Sequence, residues 1–122
     1  MTIREAITQA DESLGNTYTQ KEKINWLSLL DQRVKTKIID THAGADAVSF
    51  SGYDASTDLE TVLLVPAPFD EMYLRWLEAQ IHYRDHEDVR YNNAIDIFNM
   101  LWDEFRNDYN SKHMPLGHRF QF

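Results

Sequence analysis

The sequence predicts a mainly α fold: a small bundle of about four helices with an inserted β-hairpin and an extended C-terminal tail. Apolar residues recur at helical spacing over four stretches of the 122-residue chain. Between the second and the third stretch, at about residues 47–65, the spacing shortens to that of strands. The helical period stops near residue 111. We therefore expect one helical domain over residues 1–111 and a tail over residues 112–122.

Two capping boxes open the first two predicted helices. Thr2 with Glu5, and Thr19 with Glu22, have the spacing at which a hydroxyl and a carboxylate exchange hydrogen bonds with the backbone at the start of a helix. The first helix should be short, and the second should run through about Asp40. The apolar stripe of the second helix consists of Ile24, Leu27, Leu30, Val34 and Ile38.

The predicted hairpin is followed by a proline corner. In its first strand apolar residues alternate with small polar ones, and its second strand, ETVLLV at residues 60–65, is β-branched and apolar. Pro66 ends this strand because proline has no N–H group to donate to a ladder. Pro68 follows at once, and Asp70 is the expected N-cap of the third helix. We expect this corner to fix the angle between the hairpin and the helices.

Two aromatic-rich stretches predict the third and fourth helices. The first follows the proline corner, and the second runs from about Glu87 to Tyr109. The pattern alone leaves open whether they are separate helices or one bent helix. Beyond Asn110 the tail contains Pro115 and Gly117 and has no helical period. We expect the tail to be extended or disordered until it docks on a partner.

The charge and composition exclude several functions. The chain carries 12 basic and 20 acidic residues, a formal net charge of -8. Tight DNA binding needs basic residues that displace counterions from phosphates, so we expect no specific binding to nucleic acid. Cysteine is absent, and no apolar run approaches the roughly 20 residues of a membrane span. We therefore expect a soluble, intracellular protein with no membrane partner.

Two histidines are the weak candidates for a metal site. His82 and His86 lie four residues apart on a predicted helix, which places both imidazoles on one face. The glutamate that a metalloprotease motif carries between its histidines is missing, because Tyr83, Arg84 and Asp85 fill that gap. A solvent-exposed polar patch is the favoured interpretation. The sequence also has no glycine-rich phosphate loop and no nucleophile elbow, so we expect neither an enzyme nor a cofactor.

The last two predicted helices hold more aromatic residues than a small core can bury. Three of them, Tyr83, Tyr91 and Trp102, fall off the main apolar stripes. Aromatic side chains anchor many protein interfaces because they bury a large area in a fixed shape. These three residues are therefore candidate contacts to a protein partner.

The C-terminal tail offers a second candidate interface. Phe120 and Phe122 alternate with polar residues, a period of two that suits a strand added to the edge of another protein's sheet. Arg119 is a basic residue on an otherwise acidic chain, and it would steer the tail toward an acidic surface. We predict that the tail docks on a partner or on a neighbouring subunit.

Most of the chain resembles a known family. The stretch LLVPAPFDEMYLRWLEAQI, followed by YNNAIDIFNMLWDEF, resembles the small head-tail connector proteins encoded beside the portal in many tailed phages and prophages of Gram-positive bacteria. The pattern is a double-proline corner with an acidic cap, an aromatic helix, and a helix with a Tyr-Asn-Asn and a Phe-Asn pair. The tryptophan-centred helix at residues 25–27 is similar too. The matching positions in this sequence are Pro66, Pro68, Asp70, Tyr73, Tyr91, Asn92, Asn93, Phe98 and Asn99.

The resemblance implies a structural virion protein with no catalytic residues. Such proteins are mostly helical adaptors that assemble as a ring beneath the portal, extend the DNA channel and join the tail. The implied partners are further copies of the chain, the portal protein and a tail or stopper protein, while DNA passes without specific binding. The implied location is the virion, and the host cytoplasm during assembly. The position of the subunit within the connector stays open.

Two other classes of function stay open as well. A small acidic regulatory module, of the antitoxin or anti-repressor kind, would share the size, the charge and the lack of cysteine, and would be a monomer or a dimer. A metal-dependent hydrolase would build its site from His82, His86 and an acid, and the purified protein would bind zinc. Stoichiometry and zinc content therefore separate these two classes from a connector.

Overall fold

The computed structural model describes residues 1–116, and this part of the chain is mainly helical. Its four α-helices are α1 (Ile3–Ser13), α2 (Gln20–Lys37), α3 (Glu71–Arg84) and α4 (Asp88–Lys112). Two short 3-10 helices, Ile39–Thr41 and Ala45–Ala47, follow α2. The predicted helical class and the number of α-helices are confirmed. None of these helices is both long and apolar enough to cross a membrane.

Both capping boxes form as predicted. The Thr2 hydroxyl accepts a hydrogen bond from the Glu5 N–H at 3.1 Å, and the Glu5 carboxylate accepts one from the Thr2 N–H at 3.1 Å. Thr19 and Glu22 make the same exchange at the start of α2. These bonds satisfy N–H groups that have no partner within a helix. α2 ends at Lys37, slightly earlier than predicted, where the chain tightens into a 3-10 turn.

The core is built around α3, which packs against each of the other three α-helices. On α3, Met72, Tyr73, Leu77 and Ile81 have no solvent exposure. The apolar stripe predicted for α2 is buried along its whole length. α2 and α4 both contact α3, but among the described residues they share no backbone contact with each other. This spacing leaves a gap between α2 and α4 above α3.

α3 and α4 are separate helices joined by a tight turn, which resolves the alternative that the pattern left open. The Glu87 N–H donates to the His82 carbonyl at 2.9 Å, and the His86 N–H donates to the Tyr83 carbonyl at 3.2 Å. This pair of bonds is the Schellman motif that ends many helices. The motif needs a residue with a left-handed backbone conformation just past the helix, and this residue is usually glycine. Here His86 takes that conformation, with a φ of 59°.

The predicted β-hairpin at residues 47–65 is wrong: within residues 1–116 the chain forms isolated bridges but no strand. Its apolar second half has backbone N–H groups that bond to side chains of the helices. The Leu64 N–H donates to the Asp31 carboxylate at 3.1 Å. The Val65 N–H donates to the Tyr73 hydroxyl at 2.8 Å. Because these N–H groups already have acceptors, the segment does not pair with a second strand.

Asp31 on α2 is a fully buried carboxylate that holds three segments of the chain together. Besides the Leu64 N–H, it accepts hydrogen bonds from the hydroxyls of Tyr53 and Tyr73, each at 2.6 Å. Burial raises the pKa of Asp31 above its usual value, although these hydrogen bonds act in the opposite direction. Burial beside the carboxylate also raises the pKa of both tyrosines. The network ties residues 53–65 to α2 and α3 in place of a β-ladder.

The proline corner is present, and its Ala67–Pro68 peptide bond is cis. The Phe69 N–H donates to the Pro66 carbonyl at 3.0 Å, which closes the turn before α3. Asp70 occupies the N-cap position of α3 as predicted, but its side chain makes no capping hydrogen bond. The reason is that Asp70 already has helical backbone angles, with φ at -69° and ψ at -12°, whereas a capping residue is usually extended. Its carboxylate lies 3.7 Å from the amino nitrogen of Met1.

The C-terminal part of the chain returns to the loop after α2. α4 continues through Lys112, so the predicted boundary after residue 111 falls in its last turn. The Leu116 N–H donates to the Thr41 carbonyl at 2.8 Å. Beyond α4, residues 113–116 are therefore non-helical, as predicted, but they are hydrogen-bonded to the helical domain. The predicted contacts Arg119, Phe120 and Phe122 lie outside the described residues.

Buried His42 fastens the end of α4 to the same loop. Its Nε2 lies 2.5 Å from Oδ1 of Asn110, and its Nδ1 lies 2.6 Å from the carbonyl oxygen of Ile38. The ring also meets the Tyr109 ring edge-on, with centroids 5.0 Å apart. Both nitrogens of a buried imidazole are thus hydrogen-bonded, as burial of polar groups requires.

Candidate functional site

The gap between α2 and α4 forms a groove that is lined by side chains of α2, α3 and α4. Two adjoining hollows, of about 440 and 280 Å³, make up its length. They share three lining residues, so they form one continuous depression. We call it the α2–α4 groove. Its lining consists of Leu29, Arg33, Lys37, Trp76, Gln80, Tyr83, Tyr91, Ile95, Phe98, Asn99 and Trp102.

The floor of the groove is a row of packed aromatic rings. Trp76 lies 5.3 Å from Phe98, and Phe98 lies 6.1 Å from Trp102, measured between ring centroids. Trp76 is 6% exposed and Phe98 is 7% exposed, so both belong to the core as well. The indole N–H of Trp76 donates to the Trp26 carbonyl at 2.8 Å. The floor is therefore held in place by the same contacts that stabilise the fold.

One end of the groove is a pair of tyrosines at the turn between α3 and α4. The rings of Tyr83 and Tyr91 lie 5.6 Å apart. Tyr83 is 63% exposed, and Leu29 on the facing helix α2 is 52% exposed. Large apolar surfaces that remain exposed beside a concave site often mark a contact with another protein.

The structure brings together the three aromatic residues that the sequence singled out. Tyr83, Tyr91 and Trp102 all line the α2–α4 groove, although they come from two helices and are up to 19 positions apart in the sequence. The proline corner does not line the groove; Pro66 and Pro68 are exposed elsewhere on the surface.

The groove carries positive charge on an acidic chain. Arg33 and Lys37 are exposed on α2 and line it from one side. The Arg33 guanidinium lies over the Trp76 ring, 5.3 Å from its centroid. In the part of the chain that the structure describes, neither cation has a carboxylate within ion-pair distance. Most other basic side chains there do, namely Arg4, Lys23, Lys35, Arg75, Arg90, Arg106 and Lys112.

Sequence reasoning missed the α2 side of the groove. Leu29, Arg33 and Lys37 recur every four residues and so follow one line along the helix surface. That spacing was the available signal. The spacing could not show that the line borders a gap, because the gap depends on how far α4 lies from α2.

The two histidines have separate structural positions. His82 is 9% exposed and packs within α3, whereas His86 is exposed and supplies the left-handed turn after that helix. Among residues 1–116, no group of three or more His, Cys, Asp or Glu side chains converges as a metal site requires. The expectation that both histidines belong to one solvent-exposed patch is therefore wrong for His82.

Comparison with protein-family models, with curated proteins and with solved structures finds no match to this chain.

Proposed function

We propose that the protein is a structural adaptor that joins other proteins, of the kind found in the head-tail connectors of tailed phages. The observation that carries the proposal is the α2–α4 groove, which combines an exposed tyrosine and partly exposed aromatic residues with unpaired cations on a packed helical floor. Aromatic residues and arginine are the types most enriched at the centres of protein interfaces. In this proposal the groove is a binding surface for a protein and not a reaction site.

A rigid frame supports this role. An adaptor in a closed ring must meet each neighbour at the same angle, because otherwise the ring does not close. The corner at Pro66 and Pro68 is attached to the helices through the Asp31 network. The acidic chain also suits a channel through which DNA slides, since it offers few cations to hold phosphates. The partners are then the portal protein on one side and a tail or stopper protein on the other, in the virion.

Co-sedimentation with purified portal rings tests the proposal. We expect Lys37→Glu and Tyr83→Ala to weaken binding at least about tenfold, because loss of an interface anchor commonly costs more than ~1.4 kcal/mol. Lys21→Glu is the matched control. Lys21 is also an exposed lysine of α2 without a carboxylate within ion-pair distance in the described residues, and it lies outside the groove.

Two outcomes would contradict the proposal. If Lys21→Glu weakens binding as much as Lys37→Glu, the effect is general charge repulsion and the groove is not the site. If the wild-type chain does not sediment with portal rings at all, the connector proposal fails.

A further inference from the structure

The outer face of α4 carries an acidic ridge. Asp96, Met100 and Asp103 are all exposed and follow one another at helical spacing, so they form one line on the helix surface. Met100 is 53% exposed. Asp96 has no ion pair among the described residues, and Asp103 has only an exposed contact with Arg106 at 2.9 Å. We call these three residues the α4 ridge.

The α4 ridge matches the α2–α4 groove in charge and in chemistry. The ridge offers carboxylates, and the groove offers the unpaired cations Arg33 and Lys37. A methionine at the centre of the ridge suits an aromatic floor, because its sulfur makes favourable contacts with aromatic rings. The other exposed surfaces of this acidic chain would mostly repel a second copy.

The ridge and the groove are different surfaces of the same helix. Asp96 directly follows Ile95, and Asp103 directly follows Trp102, while Ile95 and Trp102 line the groove. One residue along an α-helix is a rotation of about 100°. The ridge of a subunit therefore points away from its own groove and is free to reach another copy.

We propose that the α2–α4 groove of one subunit takes the α4 ridge of a second subunit. Such a contact joins two different surfaces, so each pair keeps one free groove and one free ridge. Further copies add in the same way until a ring closes or an open chain grows. The inference rests on the proposed adaptor function and names the partner of its groove. Because the subunit carries a net charge of -8, copies also repel one another, and association depends on concentration.

Charge reversal on each surface tests the pairing by sedimentation velocity. The groove variant is Arg33→Glu with Lys37→Glu, and the ridge variant is Asp96→Lys with Asp103→Lys. We expect the wild-type chain to form oligomers larger than a dimer as its concentration rises to about the millimolar range, and each variant alone to stay monomeric. Lys21→Glu is the control for charge outside both surfaces, and it should associate like the wild type.

Mixing the two variants gives the sharper result. The ridge variant keeps its groove and the groove variant keeps its ridge, and the two altered surfaces also carry opposite charges. An equimolar mixture should therefore form oligomers larger than a dimer, in which the two variants alternate. A chain with all four substitutions should associate again, which would also show that the substituted proteins fold. A wild-type chain that stays monomeric throughout, or a mixture that stays monomeric, overturns the pairing.

The same variants distinguish this inference from the proposed function. If the wild-type chain is monomeric but the groove variant loses binding to portal rings, the groove belongs to a different protein and the adaptor proposal stands. If the wild-type chain forms oligomers as described but does not bind portal rings, the pairing of subunits stands and the connector proposal fails.

Discussion

Removal of the Asp31 carboxylate should be among the most damaging single changes to this fold. Asp31→Ala leaves three donors without their acceptor: the hydroxyls of Tyr53 and Tyr73 and the N–H of Leu64. Tyr73 is fully buried, whereas Tyr53 is partly exposed and can turn to water. A buried donor that loses its partner costs about 1–3 kcal/mol. The Tyr73 hydroxyl and the Leu64 N–H together should therefore lower the free energy of unfolding by about 2–6 kcal/mol.

One opposing effect reduces this cost. Burial of the Asp31 carboxylate is itself unfavourable, as its raised pKa indicates, and the alanine variant no longer pays it. The net loss in the free energy of unfolding should therefore be about 2–5 kcal/mol, in the range seen when one partner of a buried charged network is removed.

Urea unfolding followed by circular dichroism measures this loss. Two single changes provide an internal scale. Tyr73→Phe removes one donor to Asp31 and the acceptor of the Val65 N–H, so it should cost about 1–3 kcal/mol. Tyr53→Phe removes a partly exposed donor and should cost about 1 kcal/mol. If Asp31→Ala costs less than Tyr53→Phe, the network does not hold the segment, and the reasoning is refuted.

Three further outcomes follow from the structure. Because burial raises the native pKa of Asp31, the native state keeps a proton at pH values where the unfolded state has already lost it. The wild type should therefore lose stability relative to Asp31→Asn as the pH rises above about 4, until the native carboxyl has ionised. Urea unfolding of both proteins from about pH 4 to 8 measures this difference in stability, and a difference that does not change with pH would contradict the prediction. His86→Gly should raise the free energy of unfolding by about 0.5–1 kcal/mol, since glycine takes the left-handed conformation without the cost that a side chain brings, while His86→Ala should give no gain in thermal melts. Asn110→Ala removes a hydrogen-bond partner of buried His42, so it should lower the free energy of unfolding by about 1–2 kcal/mol and speed hydrogen exchange at the Leu116 N–H. Unchanged exchange would show that His42 does not hold this segment in place.

Local rules account for what the sequence predicted well. The capping boxes at Thr2 and Thr19 depend on residues three positions apart, and the stripe of α2 depends on one helix, so both could be found without knowledge of the fold. The failed hairpin depends on distant residues. The N–H of Leu64 is satisfied by Asp31, 33 positions earlier, and nothing in the apolar run itself indicates that acceptor.

The candidate site was predicted in part for the same reason. The excess of aromatic residues is visible in the composition of two helices, so Tyr83, Tyr91 and Trp102 could be chosen as residues that lie off the core stripes. The cations of the groove could not be chosen, because their role depends on the distance between α2 and α4. The left-handed turn at His86 was missed because its side chain gives no sign of it, and glycine is the usual residue at that position.

The shared use of Trp76 and Phe98 couples occupancy of the groove to the survival of the subunit. Both side chains belong to the hydrophobic core and also form the groove floor. A protein seated there binds the folded chain and not the unfolded one, so it stabilises the fold by mass action. A subunit with an empty groove then opens more often and is cleaved by proteases sooner than one whose groove is occupied. If the proposed partner fills the groove, copies without a partner would be cleared while bound copies persist, without any separate signal to mark them.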